Sequence, residues 1–325
     1  MNIIENLKNV NIPKSYIAIG SFDGVHKGHQ YLIKKMIDSA RIANYKSVVV
    51  TYDPIPRFFI GNGKDNIILT TKEEKIDLIS RLNPDYLVII KFNKNIWHME
   101  AYDFLRNIII NKLNAKKIFI GNNHHFGYNR VGNHEFLKSY EDTFYYDVET
   151  IEPLICSSTG VIISSSIIRN LLLKGEFDRA KRFLNHPYMI NGDVIHGSGI
   201  GGKMGFPTAN LNVQKGKLLP KDGVYTATAR IKGKLYKGVV SIGRAPTIKK
   251  TMDKLNIELH IFDFNGIIYG YKVDLLLWHF IREERIFENE KELSKQIKED
   301  IKKTKDMLKE VTNNGFVKGR QIETD

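Results

Sequence analysis

Apolar residues follow two different rhythms along this chain, and the change between them falls near His186-Pro187. Before that point, short continuous apolar runs at 16–19, 47–52, 86–92 and 117–121 alternate with segments of helical spacing. In the first of these, Leu32, Ile33, Met36, Ile37 and Ala40 share one face. Further helical patterns cover 71–82, 100–113, 165–174 and 176–184. Continuous apolar strands are expected where both faces of a parallel sheet are covered. Strand–helix alternation predicts a doubly wound α/β domain, with ligands outside the carboxyl ends of the strands. Gly20, Asp53-Pro54 and Gly121 fall at such ends.

After Pro187 the pattern shortens. Strand-like segments at 223–231, 235–242, 256–264 and 271–278 are separated by turn signals such as Lys232-Gly233 and Asn265-Gly266. This spacing predicts a small antiparallel β-barrel. A closing helix with Leu293, Ile297, Ile301, Leu308 and Val311 on one stripe packs against it. The predicted organisation is a domain over 1–185, a second over 186–312 and a tail over 313–325.

With 325 residues, 42% hydrophobic and 26% charged, the chain has the composition of a globular protein with a real core. Cys156 is its one cysteine, which excludes a disulfide framework and a cysteine-based zinc site and suits a reducing cytoplasm. Residues 1–15 mix Glu5, Lys8 and Lys14 into short apolar pieces, unlike a signal peptide. No apolar run approaches the roughly 18 residues of a membrane helix. The formal charge is +13, and residues 214–254 concentrate it, with eleven Lys and Arg against Asp222 and Asp253. A basic stretch raises a nucleic-acid reading, but the aromatic-studded strands of an RNA module are missing, so no nucleic-acid partner is expected.

The chemistry is concentrated in a few motifs. Gly20-Ser-Phe22-Asp23-Gly24-Val-His26-Lys-Gly28-His29 joins a strand to a helix start. Backbone N–H groups there lack intrahelical partners, and glycines let a phosphate approach, so the turn is an anion site. His26 and His29, three apart, lie on one helix face. A second helix start, Ser164-Ser165-Ser166-Ile-Ile-Arg169, offers hydroxyls, amides and a bidentate cation. Together with Mg²⁺ these groups suit nucleotidyl transfer from ATP.

The second constellation begins with Gly197-Ser-Gly199-Ile-Gly201-Gly-Lys203-Met-Gly205, which reads as a flap over phosphates. Pro207-Thr208-Ala-Asn210 follows, with Thr208 and Asn210 offering oxygens to a hard Mg²⁺ ion. In Asn256-Ile-Glu258-Leu-His260-Ile261, alternation turns Glu258 away from the apolar face, where a carboxylate can take a proton from an attacking hydroxyl.

These motifs, in this order, resemble the bacterial bifunctional riboflavin kinase/FAD synthetase family. Supporting matches are Gly223-Val-Tyr225, Gly243-Arg-Ala-Pro246-Thr247, Tyr269-Gly270 and Ile281-Arg282-Glu283-Glu284. The resemblance implies a Rossmann-like nucleotidyltransferase domain followed by a kinase barrel. The barrel would phosphorylate riboflavin with ATP-Mg²⁺, with Glu258 as base, Thr208 and Asn210 near the metal, and Arg282 and Glu284 at the flavin. The first domain would join FMN to AMP from ATP, giving FAD and pyrophosphate, with His26, His29 and Arg169 in the reaction and Asn123 and the serines at ATP. The substrates would be small molecules, in a cytoplasmic monomer or weak homo-oligomer.

Three positions differ from the family's common residues. His124 stands in Gly121-Asn-Asn-His-His-Phe-Gly127 where an aromatic is usual, Ile55 lies between two prolines where histidine is frequent, and Gly202-Lys203 takes the place of an arginine. The alternatives are a chain retaining one of the two activities, or a flavin- or RNA-binding regulator on the same scaffold.

Overall fold

A computed structural model of the protein describes residues 1–57, 67–197, 200–203, 205–244 and 255–309. They form two compact units, divided between Ile167 and Ile168.

The first unit is a six-stranded sheet, and every pairing in it is parallel. Its strands are β1 (Asn2–Ile4), β2 (Ser15–Ile19), β3 (Lys46–Asp53), β4 (Tyr86–Lys91), β5 (Ala115–Gly121) and β6 (Asp147–Ile151), in spatial order β1-β4-β3-β2-β5-β6. The chain runs from β2 outward through β3 and β4, then returns to place β5 on the other side of β2. The crevice between β2 and β5 is therefore the switch point at which open α/β sheets bind ligands. Helix α1 (Lys27–Ile42) follows β2 and buries Leu32, Ile33, Met36, Ile37 and Ala40, the predicted face. Helix α2 (Lys72–Ser80) opens on a capping box in which Thr71 and Glu74 satisfy each other's backbone N–H groups. The predicted helix over 100–113 is present as Ala101–Asp103, continuing in π winding over Phe104–Ile110. Ile17, Val48, Val50, Val88, Ile118 and Phe104 belong to one core cluster.

Helix α3 (Ser165–Lys174) begins at the division between the units. Helix α4 (Phe177–Leu184) lies in the second unit. Its buried Phe177 meets the Tyr225 ring edge-on at 5.1 Å, and Lys181 donates to the Trp278 carbonyl at 2.6 Å.

The rest of the second unit is a closed antiparallel barrel, β10-β11-β8-β7-β12-β9. Its strands are β7 (Tyr188–Ile195), β8 (Ala209–Val213), β9 (Gly223–Ile231), β10 (Lys234–Arg244), β11 (Leu255–Ile261) and β12 (Lys272–Arg282). Residues 200–203 form one helical turn, α5 (Ile200–Lys203). The closing helix, α6 (Glu290–Met307), lays Ile301 against Val224, Val239 and Phe262. Val311 and the predicted tail lie outside the described residues.

Candidate active sites

Past the end of β2 the chain turns sharply, with Phe22, Gly24 and Val25 at φ of 46°, 83° and 39°. Gly20 makes room for the buried Phe22 ring, since a Cβ there would stand 2.9 Å from Phe22 Cε1. The buried Asp23 carboxylate accepts from the Leu69 and Thr70 amides at 2.9 and 3.0 Å and from the Thr70 hydroxyl at 3.2 Å. The Gly24 amide donates back to Thr70 Oγ1 at 3.0 Å. Asp23 and Gly24, expected at the phosphate, thus also lock the turn to residues 69–70. Ser165 Oγ donates to the Asp23 carbonyl at 2.8 Å, which ties the start of α3 to the same turn.

His26 is the N-cap of α1: its Nδ1 accepts the His29 amide at 3.4 Å, which in a neutral ring assigns the proton to Nε2. The His29 ring stacks on His26 at 3.6 Å and meets Phe22 edge-on at 5.3 Å. Gly28 leaves space for this arrangement, because a Cβ there would stand 3.2 Å from His26 Cε1. His29 Nδ1 is buried with no hydrogen-bond partner among the described residues. Burial, and then the neighbouring His26 and Lys75, hold the His29 pKa well below the ordinary histidine value. His29 is therefore a neutral imidazole at neutral pH, not the cation that a phosphate site first suggests.

The sequence reading missed Lys75. It is buried beneath this turn, at the carboxyl end of β3. The Thr71-x-x-Glu74 box was legible in the sequence and marks the helix that carries it.

Ser164 accepts the Ile167 amide at 3.4 Å, and Ser166 is exposed. Arg169 is buried and counts with the second unit. Across the switch point, after β5, the His124 amide donates to the Gly121 carbonyl at 2.9 Å and its ring stacks on Phe126 at 6.0 Å. His124 Nε2 is buried with no hydrogen-bond partner among the described residues, and burial with the neighbouring His125 lowers its pKa to about 4. Asn123 beside it is exposed, and Ile55 is buried.

In the barrel, register assembles the second site. Glu258 on β11 lies opposite Asn210 on β8 and opposite Ser241 on β10. Thr208 Oγ1 donates to Glu258 Oε2 at 3.4 Å, and Asn256 Nδ2 to Glu258 Oε1 at 2.6 Å. His260, two residues on, contacts the Pro207 carbonyl through Nδ1 at 2.9 Å and so fastens the 206–210 segment to β11. The predicted open flap is partly helical. Phe206 and Gly205 amides donate to the carbonyls of Gly201 and Gly202 at 2.9 and 3.2 Å, and Gly205 takes a φ of 82°. Gly199 and the Lys203 side chain lie outside what is described.

Glu284 accepts from Ser241 Oγ at 2.7 Å and rests against Gly243, one strand over from Glu258. Arg282, expected at the flavin, gives Nε and Nη2 to the buried Asp300 carboxylate of α6 at 2.8–3.2 Å. Through that pair it anchors the closing helix. Pro246 and Thr247 are outside the described residues.

Comparison with known proteins accounts for both units. The FAD synthetase family model matches residues 8–167, and the riboflavin kinase family model matches residues 184–308. A bifunctional riboflavin kinase/FMN adenylyltransferase of Buchnera aphidicola (subsp. Schizaphis graminum) is 36% identical over 92% of this chain and 95% of its own length. That of Haemophilus influenzae is 32% identical over 94% and 98%. A crystal structure described as a macrolide-efflux protein from Streptococcus pneumoniae superposes with a TM-score of 0.81 at 29% identity, over 93% of this chain and 98% of that one. That likeness bears on the fold, and the efflux description is that protein's own. Among the described residues no helix is long and apolar enough to cross a membrane. By matches that run through both units, and by relatives that share its length and order of domains, the chain belongs to the bifunctional riboflavin kinase/FMN adenylyltransferase family.

Proposed function

We propose that the chain carries both activities of its family on separate sites, phosphorylating riboflavin in the barrel and adenylylating FMN in the first unit. The observation that carries the barrel reading is the convergence of Thr208, Asn210 and Glu258 through strand register. Glu258 takes the proton of the ribityl 5′-hydroxyl as that oxygen attacks the γ-phosphorus of ATP, the bond from the γ-phosphorus to the bridging oxygen breaks, and ADP leaves. A hydroxyl, an amide oxygen and a carboxylate are the hard donors Mg²⁺ prefers, so this set fits the ion. Thr208 and Asn210 would hold it, and bound there it supplies charge neutralisation at the phosphates. Glu284, past the end of β12, orients the flavin from its place beside Ser241 and Gly243 on β10.

In the first unit an FMN phosphate oxygen attacks the α-phosphorus of ATP and pyrophosphate leaves. Chemistry of this kind rests on positioning and charge. The neutral His29 and the capping His26 present ring N–H groups to the phosphates. Ser165, Ser166 and Arg169 serve at the start of α3, and Asn123 at the end of β5. Small molecules are the partners, in a cytoplasmic monomer or weak homo-oligomer. Basic residues of the barrel are engaged within the fold, with Lys217 over the Tyr188 ring at 4.3 Å, Lys232 over Tyr271 at 4.0 Å and Arg230 paired with Asp274 at 3.5 Å. This supports a reading without nucleic acid.

Incubation of the purified protein with riboflavin, ATP and Mg²⁺, followed by separation of the flavins, tests the assignment. FMN and FAD should both accumulate. Absence of FMN overturns the kinase half, and FMN without FAD overturns the adenylyl half.

A further inference from the structure

Lys75 stands outside every role given above, yet only 3% of its surface is exposed. Its Nζ donates to Thr51 Oγ1 at 3.3 Å and to the Tyr52 carbonyl at 3.0 Å. The Thr51 hydroxyl donates in turn to the Ser21 carbonyl at 3.1 Å, at the start of the turn that carries His26 and His29. A relay thus runs from α2 through the end of β3 into that turn. Both acceptors are neutral, and among the described residues no carboxylate lies within ion-pair distance of Lys75.

A buried ammonium without an ion pair is costly, and an apolar side chain of similar volume would fill the same space at less cost. The charged groups that act on it are Asp23 on the turn and Asp53 at the end of β3, and it acts in turn on His29 of α1; Tyr52, whose carbonyl it contacts, and Glu74, the preceding residue of α2, are buried neighbours in the chain. Glu74 is committed to the Thr71 amide and Asp23 to residues 69–70, so neither moves to meet the ammonium. The positive charge is left partly uncompensated beneath a turn built to receive phosphates, where a fixed charge does most for a developing anion.

We propose that Lys75 is a positioning residue of the adenylyl-transfer site, holding the Ser21 carbonyl through Thr51 and supplying the fixed positive charge that favours ATP phosphates on the turn. The proposal rests on the adenylyl reading of the first unit. Burial lowers the Lys75 pKa to about 8, with Asp23 and Asp53 opposing. Of the titratable groups named above, His29 is shifted well below neutrality and the buried Tyr52 well above its ordinary value. The ammonium therefore gives kcat/KM for ATP in FAD formation a decline as pH rises through about 8.

The test compares Lys75→Met, Lys75→Arg and Thr51→Val in the full chain. FAD formation from supplied FMN is followed across pH 6–10, and FMN formation serves as the control in the same preparation. Lys75→Met should lower kcat/KM for ATP about 10- to 100-fold, abolish the alkaline decline and leave FMN formation unchanged. Lys75→Arg should restore most of the activity and move the decline to higher pH. Thr51→Val should cause a smaller loss and keep the decline, because the charge remains. If Lys75→Met does not fold, Lys75→Arg decides, with an unmoved decline overturning the proposal. Unchanged kcat/KM in Lys75→Met also overturns it, as does equal loss of both activities in a folded variant. A native protein that makes FMN and no FAD overturns the adenylyl reading itself, a failure visible before any variant is measured.

Discussion

In the first unit the residues that shape the phosphate turn are neighbours in sequence, and hydrogen bonds to residues 69–70 hold them in place. In the second unit Thr208 and Glu258 are fifty residues apart and meet because the barrel closes β11 against β8. One site depends on a few buried polar bonds and the other on strand register. A lost hydrogen bond should therefore injure the first site in proportion to that bond. The second should tolerate polar loss at its margins but fail outright when the Glu258 carboxylate is removed.

The largest effect is expected from Glu258→Gln, which keeps the shape of the register and removes the base. FMN formation should fall on the order of 10²- to 10⁴-fold, while FAD formation from supplied FMN is retained. Equal loss of both activities would show that the two sites are not separate. Next comes Asp23→Ala, which leaves the Leu69 and Thr70 amides without their acceptor. At about 1–3 kcal/mol for each orphaned donor, the first unit should lose several kcal/mol in denaturant unfolding. FAD formation should be lost with it, while the kinase activity persists.

The same contrast governs what was legible in the sequence. The turn from Gly20 to His29 is local, so its strand, helix and histidines could all be read from a single stretch. The partition of labour within it could not, because the acceptors and donors that occupy Asp23 and Gly24 come from residues 69–70. In the barrel, Glu258, Thr208 and Asn210 were readable as chemistry, while two of the strands that align them were not. Strand β7 contains Asn191-Gly192, which reads as a turn. There the glycine admits a close approach of β8, since a Cβ would stand 3.0 Å from the Asn212 carbonyl. In the first unit, strand β6 was hidden by charge, and Glu149 within it pairs with Lys35 and Lys117 at 2.6 and 2.7 Å. The Arg282 pair was hidden for a related reason: β12 continues four residues past the predicted end at 278, and its partner Asp300 lies on α6.

His124 sharpens the comparison through pH. Folded, it takes a proton only near pH 4, whereas an unfolded histidine does so near 6.5. Between those values the unfolded state binds more protons, so stability should fall as pH drops from about 6.5 toward 4 and level off below that. The shift corresponds to about 2–3 kcal/mol, discounted for the partial exposure of the ring. Denaturant titrations of the native protein and of His124→Phe across this window should differ in slope, with the variant flatter. Parallel curves would assign the acid sensitivity to other groups.

The smallest effect separates binding from support at the start of α3. Ser165 is half-buried and donates to the Asp23 carbonyl, whereas Ser166 is exposed. If the first site depends on its internal bonds, Ser165→Ala should cost about 0.5–1.5 kcal/mol of stability and reduce FAD formation only a few-fold. Ser166→Ala should leave stability unchanged and act, if at all, on KM for ATP. The reverse pattern, a stable Ser165→Ala with FAD formation reduced more than a hundredfold, would place the Ser165 hydroxyl on the substrate. The bond to Asp23 would then be a resting contact that ATP displaces, and the first site, like the second, would be completed by its ligand.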